Sequence, residues 1–345
     1  MDMMRIVVWL IKAGLLGFGS LLALFVIFGL VRGHDVLASL SALALDRLPV
    51  QLGVEQVFPE PESLLVIWRG DIQDRDLDES SGLLASVQHP GVLWSVNDSG
   101  NAATLFALGT DGRALAQFPV AAPMQDWEAL AGYQRDERSY LVIADVGDNL
   151  RWRRSVQLHV LAEPSDLTSS TTLIPTRSIE VTYPDGPRDC EAVAVAEDGS
   201  VAYLLSKRRV PNELYAVDLG VGDVVEARLV DTLASLPRPT EQDDREHDSV
   251  RFMHAPTGMS LRGSDLLVAT YRHAYIYDLD NLQGVPLRLR LPAVIAREAI
   301  TFGVAPNTAY TTRERNDASV ADVYEINWSR QLVRAASAAG TANER

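Results

Sequence analysis

The feature that most constrains this chain is a short pattern that recurs five times between residues 81 and 300. Each copy places a polar residue before a small one and an apolar one: Ser81-Gly82-Leu83, Glu128-Ala129-Leu130, Glu191-Ala192-Val193, Thr257-Gly258-Met259 and Glu298-Ala299-Ile300. A second β-rich run follows each triplet, and then a third: LFAL (105–108), LHVL (158–161), LYAV (214–217), IYDL (276–279) and VYEI (323–326). Successive copies lie 47, 63, 66 and 41 residues apart, so the repeated unit is a group of strands joined by loops of different length.

Five copies of three strands, each with a variable fourth, predict an all-β protein folded as a five-bladed β-propeller. Six blades would result if part of the segment 231–256 formed another. The small residue at the second position of each triplet fits the crowding of inner strands near a propeller axis. A strand at Leu64–Arg69 precedes the first copy, and we expect it to complete the last blade and close the ring.

The N-terminal region has a different character. From Ala13 to Val31 the chain carries no charge, and Arg5 and Lys12 stand before this segment. About twenty apolar residues span a bilayer as a helix, and the basic flank favours a cytoplasmic N-terminus. A cleaved signal peptide is the alternative, but Arg32 follows at once, without a small-residue cleavage site close behind. We therefore expect a transmembrane anchor (1–34), a juxtamembrane helix and linker (35–62), a propeller outside the cytoplasm (63–334), periplasmic or at the cell surface, and a disordered tail (335–345).

The charge balance narrows the possible partners. The chain has 46 Asp and Glu against 31 Lys and Arg, a formal net charge of −15. Nucleic-acid binding depends on basic residues that neutralise phosphates, so this composition disfavours it and fits a site for cations. Cys190 is the only cysteine, which excludes an internal disulfide.

Carboxylates concentrate at the starts and ends of the predicted strands. Residues 126–149 form a predicted hairpin whose two ends lie at one edge of the sheet. Residues two apart on a strand share a face, so Asp189 should project together with Glu191. These rules gather six acids that we predict as metal ligands: Asp126, Glu128, Asp145, Asp148, Asp189 and Glu191.

The acids Asp98 and Glu298 extend this ring, and Lys207, Arg272 and Arg313 stand at matching strand ends. We predict that these five residues line the same axial funnel as ligand-binding groups. So many like charges cannot all stay ionised without a cation or a basic partner. Calcium takes six to eight oxygen ligands, which makes Ca²⁺ the cofactor that this inventory indicates. The alternative is structural, because acids at strand starts also cap backbone amides and lock one blade to the next.

Several segments resemble a group of known proteins: ESSGL (79–83), NDSG (97–100), DWEALA (126–131), DVGDN (145–149), YPDGPRDCEA (183–192) and REAI (297–300). They resemble bacterial extracytoplasmic β-propeller proteins related to the phytase-like and esterase-like propeller group, over about residues 63–330. The resemblance implies a propeller fold and divalent-cation binding. The fourth copy departs from the pattern, with Thr257 in place of Glu and Ala255 at its leading position. The acidic ring is therefore concentrated in the first three copies.

Two functions fit these observations. The first is a membrane-anchored binding or scaffold module of the cell envelope, whose funnel holds a divalent cation or a small polar or phosphorylated ligand. The second is a calcium-assisted hydrolase of phosphate or other esters, in which Lys207, Arg272 and Arg313 hold the anion. The chain has no G-x-S-x-G, H-E-x-x-H or P-loop motif, which favours the binding module. The sequence indicates no particular substrate or protein partner.

Overall fold

The computed structural model describes residues 52–54, 56–241, 254–291, 297–315 and 320–331. The predicted anchor, the juxtamembrane helix and the tail lie outside these residues. Within them, no helix is both long enough and apolar enough to cross a membrane. The elements are strands β1 to β21 and one turn of 3-10 helix at Leu279–Asn281. The strands form five separate sheets.

Each sheet is one blade, in which every strand pairs with the next strand of that blade. The first blade contains β2 (Ser80–Ala85), β3 (Val92–Asn97), β4 (Thr104–Gly109) and β5 (Ala114–Pro119). The second contains β6 (Trp127–Arg135), β7 (Arg138–Asp145), β8 (Val156–Ala162), β9 (Arg177–Thr182) and the short parallel β13 (Val224–Glu226). The third contains β10 (Cys190–Val195), β11 (Val201–Ser206), β12 (Asn212–Asp218) and β14 (Arg228–Leu233). The fourth contains β15 (Pro256–Arg262), β16 (Asp265–Thr270), β17 (His273–Asp278) and β18 (Leu287–Arg290).

The fifth blade closes the ring. It contains β19 (Arg297–Phe302), β20 (Thr308–Arg313), β21 (Asp322–Trp328) and, at its outer edge, β1 (Leu64–Asp71). β1 pairs antiparallel with β21, from Leu64 opposite Trp328 to Asp71 opposite Asp322. The predicted five-bladed propeller and its closure by the N-terminal strand are thus confirmed, and the described residues form no sixth sheet.

The five polar–small–apolar triplets form the inner strands, which contact one another in the circuit β2–β6–β10–β15–β19 and back to β2. The small residue is required by the approach of the next inner strand. A Cβ atom on Gly82 would lie 2.6 Å from the backbone nitrogen of Leu130, and one on Gly258 would lie 3.1 Å from the carbonyl oxygen of Glu298. The predicted crowding near the axis is therefore a contact between backbones.

The polar residue of each triplet is the extra residue of a β-bulge. In the first blade Ser80 pairs with Asn97 and Gly82 with Val96, so that Ser81 has no partner on β3. The other four inner strands shift register at the same position. A bulge re-aims the side chain that it carries. Five side chains are re-aimed at equivalent positions around the axis: Ser81, Glu128, Glu191, Thr257 and Glu298.

Apolar clusters fill the spaces between blades, and the segment before β1 joins one of them. Phe58 is only 6 % exposed, and its ring centroid lies 5.3 Å from that of Tyr275 in the fourth blade. Two residues on, Glu60 accepts hydrogen bonds from Arg288 and Arg290 of the same blade. The part of the predicted linker that the structure describes is therefore packed along the outer edge of the propeller.

Candidate functional site

Three carboxylates meet where the first and second blades face the axis. Asp98 directly follows β3, Asp126 directly precedes β6, and Glu128 is the bulged residue of β6. Each offers an oxygen atom that lies within 4.8 Å of the oxygens of the other two. Glu128 is 4 % exposed, whereas the other two are half-buried. We call these three residues the carboxylate trio.

The backbone beside the trio leaves no room for a side chain. A Cβ atom on Gly147 would lie 2.5 Å from Asp126 Oδ2 and 2.5 Å from Glu128 Oε1. The Gly147 amide also donates a hydrogen bond to the carbonyl oxygen of Asp126 at 3.1 Å. The glycine of the DVGDN segment therefore lets the loop approach two of the carboxylates directly.

A hydrogen-bonded chain continues the site around the axis through the third, fourth and fifth blades. Lys207 Nζ donates a hydrogen bond to Glu191 Oε1 and another to the Tyr271 hydroxyl at 3.4 Å. That hydroxyl donates in turn to Glu298 Oε1 at 2.8 Å. The same ammonium lies 5.7 Å from the centroid of the Tyr271 ring. Lys207 and Glu298 thus lie in one hydrogen-bonded chain, and Tyr271 is an additional member.

The register of the second strands explains which predicted residues face the axis. The inner-strand residues before each bulge pair with Asn97, Asp145, Ser206, Thr270 and Arg313. The residue after each of these occupies the axial position, which gives Asp98, Val146, Lys207, Tyr271 and Glu314. The prediction treated Asp145 and Arg313 as equivalent to Lys207. In the structure they are equivalent to Ser206, one residue earlier. Glu314 could have been found by aligning all five strand ends in a single register.

Arg313 pairs within its own blade, and Arg272 lies in a turn between two strands. Arg313 pairs with Asp322 of its own blade at 2.9 Å and donates to the Val320 carbonyl oxygen at 2.7 Å. Arg272 belongs to the turn before β17. There its charge adds to burial and to the charge of Arg288 in lowering the pKa of His273 to about 3. Of the three predicted cations, the structure brings Lys207 into contact with the axial acids.

Three of the predicted metal ligands have protein partners instead. Asp145, 2 % exposed, accepts hydrogen bonds from the backbone nitrogens of Gln125 and Asp126 at 3.0 and 3.1 Å. Its carboxylate also pairs with Arg153 at 2.8 Å. The same guanidinium donates to the Gly147 carbonyl oxygen at 2.7 Å, so it ties the loop after β7 to the end of that strand.

Asp148 and Asp189 continue this structural network. Asp148 accepts hydrogen bonds from the backbone nitrogens of Trp152 and Arg153, both at 2.9 Å. Asp189 accepts one from the Asp148 backbone at 3.0 Å and pairs with Arg208 at 2.5 Å. The expectation that Asp189 projects together with Glu191 fails because the bulge between them breaks the alternation of the strand. For these acids the structural alternative, capping backbone and joining blades, describes the contacts.

Burial and mutual repulsion hold protons on the axial acids. Burial, with the charge of Asp98 beside it, raises the pKa of Asp126 to about 7. Burial and the charge of Glu191 raise the pKa of Glu128 well above its usual range. Burial raises the pKa of Glu191 to about 8 although Lys207 opposes the shift, and it raises the pKa values of Glu298 and Glu314 to about 7. The Lys207 charge opposes these shifts at Glu128, Glu191, Glu298 and Glu314, but the pKa of each stays raised, a combination that favours a further cation or retained protons.

Two buried polar atoms of the bulge ring lack partners. Among the described residues, neither Glu191 Oε2 nor Thr257 Oγ1 has a hydrogen bond, and both side chains are at least nine-tenths buried. Leaving a buried polar atom unsatisfied costs about 1–3 kcal/mol, so native structures rarely do so without a ligand, an ion or a water molecule. A water molecule, an ion or a ligand at the axial site would satisfy both atoms.

Comparison with known proteins finds distant structural similarity but no family. No protein-family model matches the chain, and no curated protein sequence does. Similar solved structures include a gluconolactonase from Xanthomonas campestris, with a TM-score of 0.43 and 13 % identity over 82 % of this chain and 99 % of that one. They also include a PQQ-bound aldose sugar dehydrogenase from Streptomyces coelicolor, with a TM-score of 0.43 and 10 % identity over 78 % of this chain and 100 % of that one. The WD40 repeats of RRP9 give a TM-score of 0.41 and 10 % identity over 80 % of this chain and 100 % of that one. These neighbours are propeller proteins, none points specifically to the phytase-like group, and at this similarity they assign neither ligand nor reaction to this chain.

Proposed function

We propose that this protein is a β-propeller binding module that holds a divalent cation at its acidic axial mouth. The carboxylate trio carries the proposal, since Asp98, Asp126 and Glu128 bring oxygens within 4.8 Å of one another at a half-buried position. Carboxylate oxygens are the ligands that Ca²⁺ and Mg²⁺ prefer. A bound cation would also relieve the repulsion that raises the pKa of Asp126 and of Glu128.

Calcium suits the trio better than magnesium. Three side-chain carboxylates leave positions for water or a ligand in a coordination sphere of about six to eight oxygens. Magnesium demands a nearly ideal octahedron at short distances, which three acids from two chain segments do not impose. In this proposal the open positions take a small polar or phosphorylated ligand.

We expect calcium to raise the melting temperature of chelator-treated protein. A ligand that binds only the folded state stabilises it by about 2.7 kcal/mol at a hundredfold excess over its Kd. Asp126→Asn combined with Glu128→Gln should abolish this increment, because the amides keep the shape but lose the charge. The exposed Asp166→Asn variant is the matched control and should keep the full increment. Differential scanning calorimetry with and without CaCl₂ measures both.

Two outcomes would count against the cation site. If neither calcium nor magnesium nor manganese changes the melting temperature, the trio does not bind a divalent cation. If the double variant melts differently without any ion but keeps the calcium increment, the cation binds elsewhere and these acids have a structural role.

The second candidate, a calcium-assisted hydrolase of phosphate or other esters, is favoured by one observation. The Lys207 ammonium and the Tyr271 hydroxyl are proton donors at the same axial site as the trio. A bound divalent cation would polarise a phosphoryl or carbonyl oxygen, and these donors could hold the developing negative charge. Calcium-dependent turnover of p-nitrophenyl phosphate or p-nitrophenyl acetate that is lost in Lys207→Met would support hydrolysis. Calcium binding without turnover would leave the binding module.

We also propose that the uncharged segment 13–31 anchors the propeller outside the cytoplasm. Its length and its basic flank support an uncleaved helix. The mature protein should then retain its N-terminus and fractionate with membranes. Mass spectrometry of the purified protein checks this, and a mature chain that begins near Leu45 would identify a signal peptide instead.

A further inference from the structure

A cavity lies at the mouth of the propeller opposite to the carboxylate trio. The trio is at the starts of the inner strands, whereas this cavity of about 430 Å³ is lined by their ends. Leu84 of β2, Tyr133 of β6, Leu261 of β15 and Thr301 of β19 all contribute to it. Its volume falls within the range of small-molecule sites, about 300–1,000 Å³. The two mouths are therefore separate candidate sites with different linings.

The most specific group in this cavity is the carboxylate of Glu163, which follows β8. The residue is 8 % exposed, and its Oε1 atom accepts hydrogen bonds from Trp94 Nε1 at 2.7 Å and from the Ser86 hydroxyl. Its Oε2 atom has no hydrogen bond within the described part of the chain, although the residue lines the cavity. Two donors thus hold one oxygen in the wall while the other can accept from a ligand.

The remaining lining offers further acceptors and a ring face. Tyr133 and Tyr140 stack with centroids 5.0 Å apart and an interplanar angle of 15°. Gly199 approaches Tyr133 closely, since a Cβ atom there would lie 2.2 Å from that ring, and both tyrosines line the cavity. Gln134 and Ser139 also line the cavity, and the Gln134 amide donates to the Ser139 hydroxyl at 3.3 Å.

The arginine side chains near this cavity are hydrogen-bonded to backbone carbonyl oxygens. Arg262 donates to the carbonyl oxygens of Gly303 and Ala305 and lies 4.8 Å from the centroid of the Phe302 ring. Arg135, farther out, donates to the carbonyl oxygens of Asp198 and Gly199. The described lining thus carries two carboxylates, Glu163 and Glu197, against the single guanidinium of Arg262, and this negative balance disfavours an anionic ligand.

We infer that this opposite mouth binds a neutral saccharide. A carboxylate can only accept hydrogen bonds, so the ligand must bring donors, which sugar hydroxyls supply. The C–H face of a pyranose ring is apolar and matches the apolar part of this lining, which includes Tyr140, Leu84 and Leu261. One or two sugar rings fit the cavity volume. This inference is independent of cation binding at the trio.

The test is titration calorimetry of the full chain, in the presence of chelator, with maltose, cellobiose and chitobiose. The protein is purified without detergents that carry a sugar headgroup. We expect at least one disaccharide to bind, and Glu163→Gln to weaken it about tenfold or more, since hydrogen bonds to charged acceptors are among the strong ones. Tyr140→Ala should weaken it as well. Asp280→Asn, an exposed position outside the lining, is the matched control and should bind unchanged.

Each remaining outcome would overturn the inference. The absence of binding by all three disaccharides excludes a saccharide site, as does binding that Glu163→Gln and Tyr140→Ala leave intact. If putrescine binds and no sugar does, the cavity recognises an amine through its carboxylate. Glu163→Gln could unfold the wall by weakening the contact to Trp94, so its melting temperature is measured too. Tyr140→Ala lies outside that contact and decides the question if Glu163→Gln is unstable.

Discussion

In chelator-treated protein, we expect the free energy of unfolding to fall by on the order of several kcal/mol as the pH rises from about 5 to about 8. Burial and repulsion raise the pKa of Asp126, Glu298 and Glu314 to about 7 and that of Glu191 to about 8. An acid whose pKa is higher in the folded state than in the unfolded state stabilises the fold fully below the unfolded value, about 4. That stability is lost as the pH rises through the folded value, here 7 to 8.

Urea denaturation at a series of pH values measures this slope. Saturating calcium should reduce it, because the cation replaces protons on the trio, and the calcium increment should therefore be larger at pH 8 than at pH 5. The variant Glu191→Gln should flatten the curve in chelator, whereas the exposed Asp166→Asn should leave it unchanged. A stability that stays constant or rises between pH 5 and pH 8 would show that the axial acids are already ionised without cost.

The second large effect concerns the loop that carries Gly147. Arg153→Ala should destabilise the protein by about 3–5 kcal/mol, because removal of one partner leaves a buried charge uncompensated. The guanidinium pairs with Asp145 at 2.8 Å and holds the Gly147 carbonyl oxygen at 2.7 Å, and both charged residues are buried. The neighbouring Arg154 is exposed, and Arg154→Ala should change stability by less than about 0.5 kcal/mol.

The same pair of variants tests the coupling of this loop to the cation site. Gly147 lies against two carboxylates of the trio, so release of the loop in Arg153→Ala should also diminish the calcium-induced rise in melting temperature. Arg154→Ala should keep the whole rise. If both variants unfold at the same urea concentration as the parent, the buried pair does not hold the loop.

The architecture could be predicted because its cause is repeated along the chain. Five copies of one polar–small–apolar triplet impose one packing environment five times, and the smallness of Gly82 and Gly258 reports backbone contact directly. Strand Leu64–Asp71 could be predicted as the closing strand because it precedes the first repeat and belongs to none of them. The last blade would otherwise have an unpaired outer edge, and this strand pairs with it. A local pattern that recurs in this way predicts the fold without information on which distant residues are in contact.

The composition of the axial site depended on the tertiary structure. Alternation along a strand groups Asp189 with Glu191, but the bulge between them turns the two carboxylates to different cations, Arg208 and Lys207. Whether an acid is free also depends on partners that no spacing rule predicts. Asp145 meets Arg153 across a loop, whereas Asp126 meets Asp98 from another blade.

The cavity at the opposite mouth could not be predicted from the sequence at all. Glu163 carries no motif, and its place in a cavity follows from the meeting of Trp94, Ser86 and the ends of inner strands that are far apart in the chain. The sequence alone therefore determined the five blades, their closure and the presence of an acidic mouth, because these follow from repeated local patterns. The tertiary structure decided which carboxylates are paired and which remain open, because pairing and burial arise from contacts between residues distant in sequence.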